Sequence, residues 1–141
     1  MSALARYFAA KGYRVLGYDR TPSPLTKELE AEGIAVQYDD SLDTVKALDI
    51  ANTIVVRTPA VPEDMAVYVW LKEQGFQILK RAEVLGLVTR SERALCVAGT
   101  HGKTTTSTML AHILHQSHVG ANAFLGGIAN NYSTNLLLDQ E

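Results

Sequence analysis

The chain has 141 residues, 47% apolar and 20% charged, and its 13 basic and 15 acidic side chains leave a formal net charge of −2. That length suffices for one domain and is short for two, and the charge balance gives no general basic field to attract nucleic acid. No apolar run reaches the roughly 18 residues needed to span a membrane, no secretory signal opens the chain, and one cysteine, Cys96, cannot build a disulfide framework, so a cytoplasmic protein is expected.

Residues 2–11 carry Leu4, Ala5, Tyr7 and Phe8 at helical spacing, and Gly12 supplies a stop. Residues 13–18 read as a strand ending at Asp19. A second helix over 26–31 is closed by Gly33, and 34–38 form the next strand. Residues 43–48 are a short helix, while the β-branched run at 53–56 is of the kind buried in parallel sheets. A helix over 63–74 is closed by Gly75, 76–79 make another strand, and 81–87 are helical. Strands alternating with helices call for an α/β fold, a Rossmann-like parallel sheet with helices on both faces.

The polar stretch 89–93 reads as a linker, dividing the chain into domains at 1–90 and 91–141. The second domain is expected to open with a strand at 94–98. A helix from Lys103 to about Gln116 follows, packing through Met109, Leu110, Ile113 and Leu114, and then a strand at 122–125 before Gly126-Gly127.

The stretch 94–106 carries the chemistry. An apolar run leads into a turn with Gly99 and Gly102, and Lys103-Thr104 opens the helix. Glycines let the backbone turn sharply and approach a ligand closely. The turn's N–H groups and the helix N-terminus together make a concave anion site. Lys103 can reach the outer phosphates of a nucleotide, and the Thr104 hydroxyl can join the coordination of Mg²⁺. The usual phosphate-loop pattern has a glycine five residues before the Gly-Lys pair, where this chain has Val97, so this is a shorter version. A strand-to-helix turn with a chance lysine is the plain alternative. The order of apolar run, glycines, Lys-Thr and helix argues against it.

The spelling Gly99-Thr100-His101-Gly102-Lys103-Thr104-Thr105, with residues 106–110 behind it, resembles the ATP-binding loop of the Mur ligases. These are ATP-dependent amino-acid ligases of peptidoglycan precursor synthesis. His101 narrows the resemblance to the branch that joins L-alanine to UDP-N-acetylmuramic acid and the tripeptide ligase of cell-wall recycling, and residues 1–7, 17–23, and 58–64 followed by 80–83 favour the first. The resemblance runs from Met1 to at least Gly127. It implies ATP and Mg²⁺ as cofactors, bound through residues 99–105. Lys103 is then the catalytic cation and Thr104 the metal-directed hydroxyl.

It also implies contacts from Asp19, Thr58, Pro59, Ala60 and Arg81 to the UDP-sugar. From pattern alone, a turn cap at Asp19 and a plain connection at 58–60 stand equally open. Glu83 suits the positive end of its helix. His112, His115 and His118 have no carboxylate or cysteine to complete a metal site, so solvated surface is the expectation.

A dinucleotide-type fold places a strand and a glycine-rich turn before its first helix, and in the family that turn runs directly into the sequence matching residues 1–5. The resemblance therefore implies a sugar-nucleotide domain lacking both, followed by only the beginning of an ATP-binding domain. A chain of this extent is expected to be inactive alone. A non-catalytic nucleotide-binding module and a P-loop kinase are the alternatives from other classes.

Overall fold

The computed structural model describes residues 1–90 and 92–139. In chain order the elements are α1 (Ser2–Ala10), β1 (Leu16–Tyr18), α2 (Pro24–Ala31), β2 (Ala35–Gln37), β3 (Ile54–Arg57), α3 (Ala66–Glu73), β4 (Gln77–Lys80), α4 (Arg81–Arg90), α5 (Lys103–Gln116), β5 (Ala123–Ala129) and β6 (Thr134–Leu137), with two short 3₁₀ turns between β2 and β3. The expected helix at 43–48 is one of them, Val45–Ala47. The fold is α/β.

Three helices end in the same way. After α1, Gly12 N–H donates to Ala9 O and Tyr13 N–H to Phe8 O; after α2, Gly33 pairs with Glu30 and Ile34 with Leu29; after α3, Gly75 pairs with Lys72 and Phe76 with Leu71. This double hydrogen bond satisfies the last carbonyls of a helix, and an apolar residue after the glycine commonly packs back on it. Ile34 and Phe76 are buried accordingly.

Two compact units can be distinguished: residues 18–22 with 37–94, and residues 1–17 with 23–36 and 95–141. In the first, β3 and β4 are parallel, Ile54 opposite Gln77 and Arg57 opposite Lys80, with α3 as the crossover. Parallel neighbours need such a crossover, because a tight turn cannot reverse the chain twice. Met65, Leu71, Phe76 and Val84 are buried among the described residues of this unit. Trp70 lies 5.9 Å from Phe76, ring to ring. The Asp40 carboxylate caps α3 from the loop after β2, accepting from Ala66 N–H at 2.7 Å and Val67 N–H at 2.8 Å. β1 and β2 form a separate two-stranded sheet.

In the other unit, α1, α2 and α5 accompany an antiparallel pair, β5 with β6, whose register shifts between Phe124 and Ala129. Ala111, Leu125, Ala129 and Leu137 form its core, with Ala123 and Tyr132 packed against them. α1 meets this pair through Tyr7, 5.2 Å from Phe124, and through Ser2 Oγ, which accepts from Asn135 Nδ2 at 3.2 Å. Arg6 joins α1 to α2, its guanidinium 2.8 Å from Glu32 and 3.2 Å from Glu28. The hydrogen bond that Arg6 donates to Glu32, followed by the charge of Glu32 and the hydrogen bond and charge of Glu28, holds the Arg6 pKa above its ordinary value against the opposing effect of burial.

Two expectations are corrected. Residues 94–98 form no strand. An apolar run permits a strand but does not make one; ladder hydrogen bonds need a partner, and none of the described strands pairs with this stretch. The packing face of α5 differs in part, for Met109 and Ile113 are 61% and 62% exposed while Ala111 is 5% exposed. Leu110 and Leu114 are half-buried as expected, and Ser107, Thr108 and Ala111 share the covered side. Small residues there let the helix approach β5 closely, whereas the count of large apolar side chains pointed partly elsewhere. The expected linker at 89–93 begins within α4, and its Ser91 lies outside the described residues.

Candidate functional site

The loop at 99–102 and the first turn of α5 form the candidate site. Gly102 occupies the N-cap of α5 with φ 73° and ψ 5°, a left-handed conformation, and no side chain caps the helix. A residue with a Cβ would be strained there, so glycine is what allows the loop to enter the helix at this angle. The first intrahelical bond runs from Thr106 N–H to Gly102 O, 2.9 Å. The N–H groups of Lys103, Thr104 and Thr105 precede the helix's own acceptors and face outward by geometry. With the helix dipole behind them they make a preformed anion cradle.

Lys103 folds back over this cradle. Its ammonium donates to Gly99 O at 2.7 Å and to Thr100 O at 3.3 Å. Thus the one flexible cation of the loop already lies at the loop's mouth. Residues 99–105 are all exposed, His101 among them. The His101 backbone oxygen lies beside Gly99, 3.6 Å from where a Cβ would stand. Ser107 Oγ donates to the carbonyls of Lys103 at 2.8 Å and Thr104 at 3.1 Å, so it serves the helix backbone. Thr104 leans over β5, where Gly126 and Gly127 pass beneath it.

These features fit a phosphate chain: uncapped N–H donors, an exposed ammonium and a solvent-reachable hydroxyl converge on one turn. For a divalent cation this chain offers the Thr104 hydroxyl, and no group of three or more His, Cys, Asp or Glu among the described residues could hold a metal. A cation here would have to share its coordination with phosphate oxygens.

The residues expected at the UDP-sugar lie in the other compact unit. Asp19 follows β1; its N–H donates to Gln37 O at 3.1 Å and its carboxylate accepts from Thr21 N–H at 3.3 Å, so it caps a local turn. Thr58, Pro59 and Ala60 follow β3 in a turn closed by Val61 N–H to Thr58 O, 3.1 Å. Pro59 takes the position that its fixed φ favours.

Arg57 secures that turn, a role the sequence did not reveal. Its guanidinium donates to Val61 O at 3.0 Å and to Tyr68 Oη at 2.9 Å, and stacks 4.3 Å from the Tyr68 ring centre. Glu63 completes the cluster at 3.4 Å. Arg81 opens α4 and is exposed, and Glu83 accepts from Lys80 N–H at 2.6 Å. Of the histidines after the loop, His112 Nδ1 lies 2.6 Å from Tyr132 Oη, and the His115 ring stands edge-on to Tyr132 at 5.4 Å. They pack on a tyrosine that no local pattern linked to them.

Comparison with known proteins places these features in context. The model described as "Mur ligase family, catalytic domain" matches residues 1–93. A UDP-N-acetylmuramate–L-alanine ligase from Phocaeicola vulgatus is 59% identical over 140 residues, covering 98% of this chain and 31% of that protein. One from Porphyromonas gingivalis is 57% identical over 143 residues, covering all of this chain and again 31% of the relative. The chain therefore spans about a third of the length of the curated relatives it matches. Among solved structures, the UDP-N-acetylmuramate–alanine ligase of Thermotoga maritima superposes with a TM-score of 0.81 at 29% identity, over 99% of this chain and 32% of that one. The UDP-N-acetylmuramate:L-alanyl-γ-D-glutamyl-meso-diaminopimelate ligase of Neisseria meningitides gives 0.84 at 30% identity, over 99% and 43%.

Proposed function

The chain belongs to the Mur ligase family, and from that premise we propose that it carries the phosphate-binding loop of an ATP-dependent ligase joining L-alanine to the lactyl carboxylate of UDP-N-acetylmuramic acid. One observation carries the reading: the Lys103 ammonium and the uncapped start of α5 converge on a single turn held open by Gly102. The high identity to L-alanine ligases along the whole chain supports this branch. The likeness to the meso-diaminopimelate tripeptide ligase supports recycling as the second reading.

ATP and Mg²⁺ when bound would supply an activated phosphoryl group and its charge neutralisation, so that the carboxylate could become an acyl phosphate with release of ADP and the amine of L-alanine could then form the amide by displacing inorganic phosphate. This chain's residues do the positioning. Amides of residues 99–105 would hold phosphate oxygens. Lys103, already placed at the loop by the Gly99 and Thr100 carbonyls, would face the charge of the transferring group, where a preplaced donor is most effective. Thr104 offers its hydroxyl to the cation. In this reading residues 1–90 hold the UDP-sugar through Asp19, Thr58, Pro59, Ala60 and Arg81, residues 91–141 begin the ATP-binding part, and the enzyme works in the cytoplasm. Asp19 would still have to turn from its cap to a ribose hydroxyl.

The test offers the full-length protein carrying this sequence UDP-N-acetylmuramic acid and ATP, with either L-alanine or the L-alanyl-γ-D-glutamyl-meso-diaminopimelate tripeptide. ADP release and amide product with L-alanine are expected. Product with the tripeptide alone would move the assignment to the second reading, and none with either would overturn it.

A further inference from the structure

Thr104 stands on the first turn of α5, and β5 runs beneath it at two adjacent glycines. A β-carbon at Gly126 would lie 2.9 Å from Thr104 Oγ1, closer than such atoms approach in real structures. One at Gly127 would lie 3.6 Å from Thr104 Cγ2, an ordinary van der Waals distance. Two neighbouring positions of one strand thus read the two branches of one side chain. The hydroxyl lies over Gly126 and the methyl over Gly127.

Backbone conformation gives no reason for glycine at 126, since it is not among the positive-φ glycines. Glycine inside a strand weakens it and commonly marks the close approach of another group. Here the approaching group is the hydroxyl of the phosphate loop. A β-branched side chain has few χ1 states, so whatever fixes the Thr104 rotamer also fixes where its oxygen points.

We propose that Gly126 is a positioning residue, whose missing side chain holds the Thr104 hydroxyl toward the cation that accompanies the bound nucleotide. The inference rests on the reading of Thr104 given under Proposed function. A methyl at 126 drives the oxygen off that position by rotating χ1 or shifting the first turn of α5. A methyl at 127 asks nothing comparable.

The experiment compares Gly126→Ala, Gly127→Ala and Thr104→Ala in the full-length protein, with circular dichroism to confirm folding. One readout is the Thr104 methyl resonance of threonine-labelled, nucleotide-free protein, which reports the rotamer without cation or turnover. The other is the Mg²⁺ concentration giving half-maximal ATP binding in calorimetry. Gly126→Ala should move the methyl resonance and raise the Mg²⁺ midpoint by roughly tenfold, as expected for a group that orients a metal-directed one. Gly127→Ala should leave the midpoint within about twofold on the same grounds.

If Thr104→Ala raised the Mg²⁺ midpoint but Gly126→Ala left both readouts at wild-type values, the positioning role would be overturned while the reading of Thr104 stood. If Thr104→Ala left the midpoint unchanged, the reading of Thr104 would fall, and this inference with it. Should Gly126→Ala not fold, Thr104→Ser decides, because serine keeps a hydroxyl but loses both the methyl over Gly127 and the β-branching that limits χ1, so that the space at Gly126 is left to place the oxygen. A wild-type midpoint supports positioning by Gly126; a loss of about tenfold or more would assign it to the methyl contact and overturn the proposal.

Discussion

Replacing Lys103 by alanine tests the site most directly. In the nucleotide-free loop the ammonium makes hydrogen bonds of 2.7 Å and 3.3 Å to Gly99 and Thr100 carbonyls on an exposed surface. Contacts of that kind contribute little to stability once water competes for both partners, about 1 kcal/mol or less. Folding should therefore be nearly unchanged. In the transition state the same ammonium would face charge spread over the transferring phosphoryl group, with water excluded. Deleting one such preplaced donor costs on the order of 3 kcal/mol, roughly a hundredfold in rate. The assay is ADP release by the full-length protein at saturating ATP, with thermal unfolding of the same preparations as the control. Loss of turnover at an unchanged unfolding midpoint is expected. Wild-type turnover would refute the assignment of the loop, and a large stability loss would refute the claim that the contact is a resting position of the ammonium.

Three further outcomes are expected. His101→Ala should lower kcat/KM for ATP by less than about tenfold if the exposed imidazole only orients the loop; a loss matching that of Lys103→Ala would place the imidazole on the reacting phosphate. Asp40→Ala strips two N–H groups at the start of α3 of their acceptor, a loss of about 1–2 kcal/mol. Amide hydrogen exchange in α3 should quicken by roughly five- to thirtyfold, and unchanged exchange would show the cap to be idle. Arg6→Ala should destabilise by about 1 kcal/mol, because its glutamate partners are largely exposed. The raised Arg6 pKa means its contribution is complete below the ordinary arginine value and is lost only as pH rises through the higher folded value. The difference between wild type and Arg6→Ala in urea unfolding should thus be constant from about pH 6 to about pH 10; a decline across that range would contradict the assignment.

Local chemistry made some of this structure legible in the sequence. The bounds of α5, Lys103–Gln116, follow from Gly102 before the first helical residue and the change of pattern after Gln116. The ends of α1, α2 and α3 follow from a glycine and an apolar residue in succession. What was hidden depends on residues far apart in sequence. Asp40 reaches Val67 across 27 positions, and His112 meets Tyr132 across 20; neither pairing leaves a periodic trace. The run at 94–98 has strand composition, yet pairing is decided by what lies beside it. The packed side of α5 includes the expected Leu110 and Leu114 but not Met109 and Ile113, because close approach to β5 selects small residues such as Ala111.

The cap that Asp40 places on α3 also bears on selectivity. A carboxylate resting on two helix amides occupies the place a phosphate would take, so that helix end is filled by an anion the chain supplies itself. α2 is treated alike with the neutral oxygen of Ser23, and the backbone just before α4 with Glu83. At α1 and at α5 the chain supplies no side-chain oxygen. A soluble phosphate would meet a tethered competitor at the starts of α2, α3 and α4, present at an effective concentration no free ligand matches. Which helix ends can take an anion is thereby decided as much by the ends that refuse it as by those left open, and of the two open ends α5 alone has a lysine folded over it.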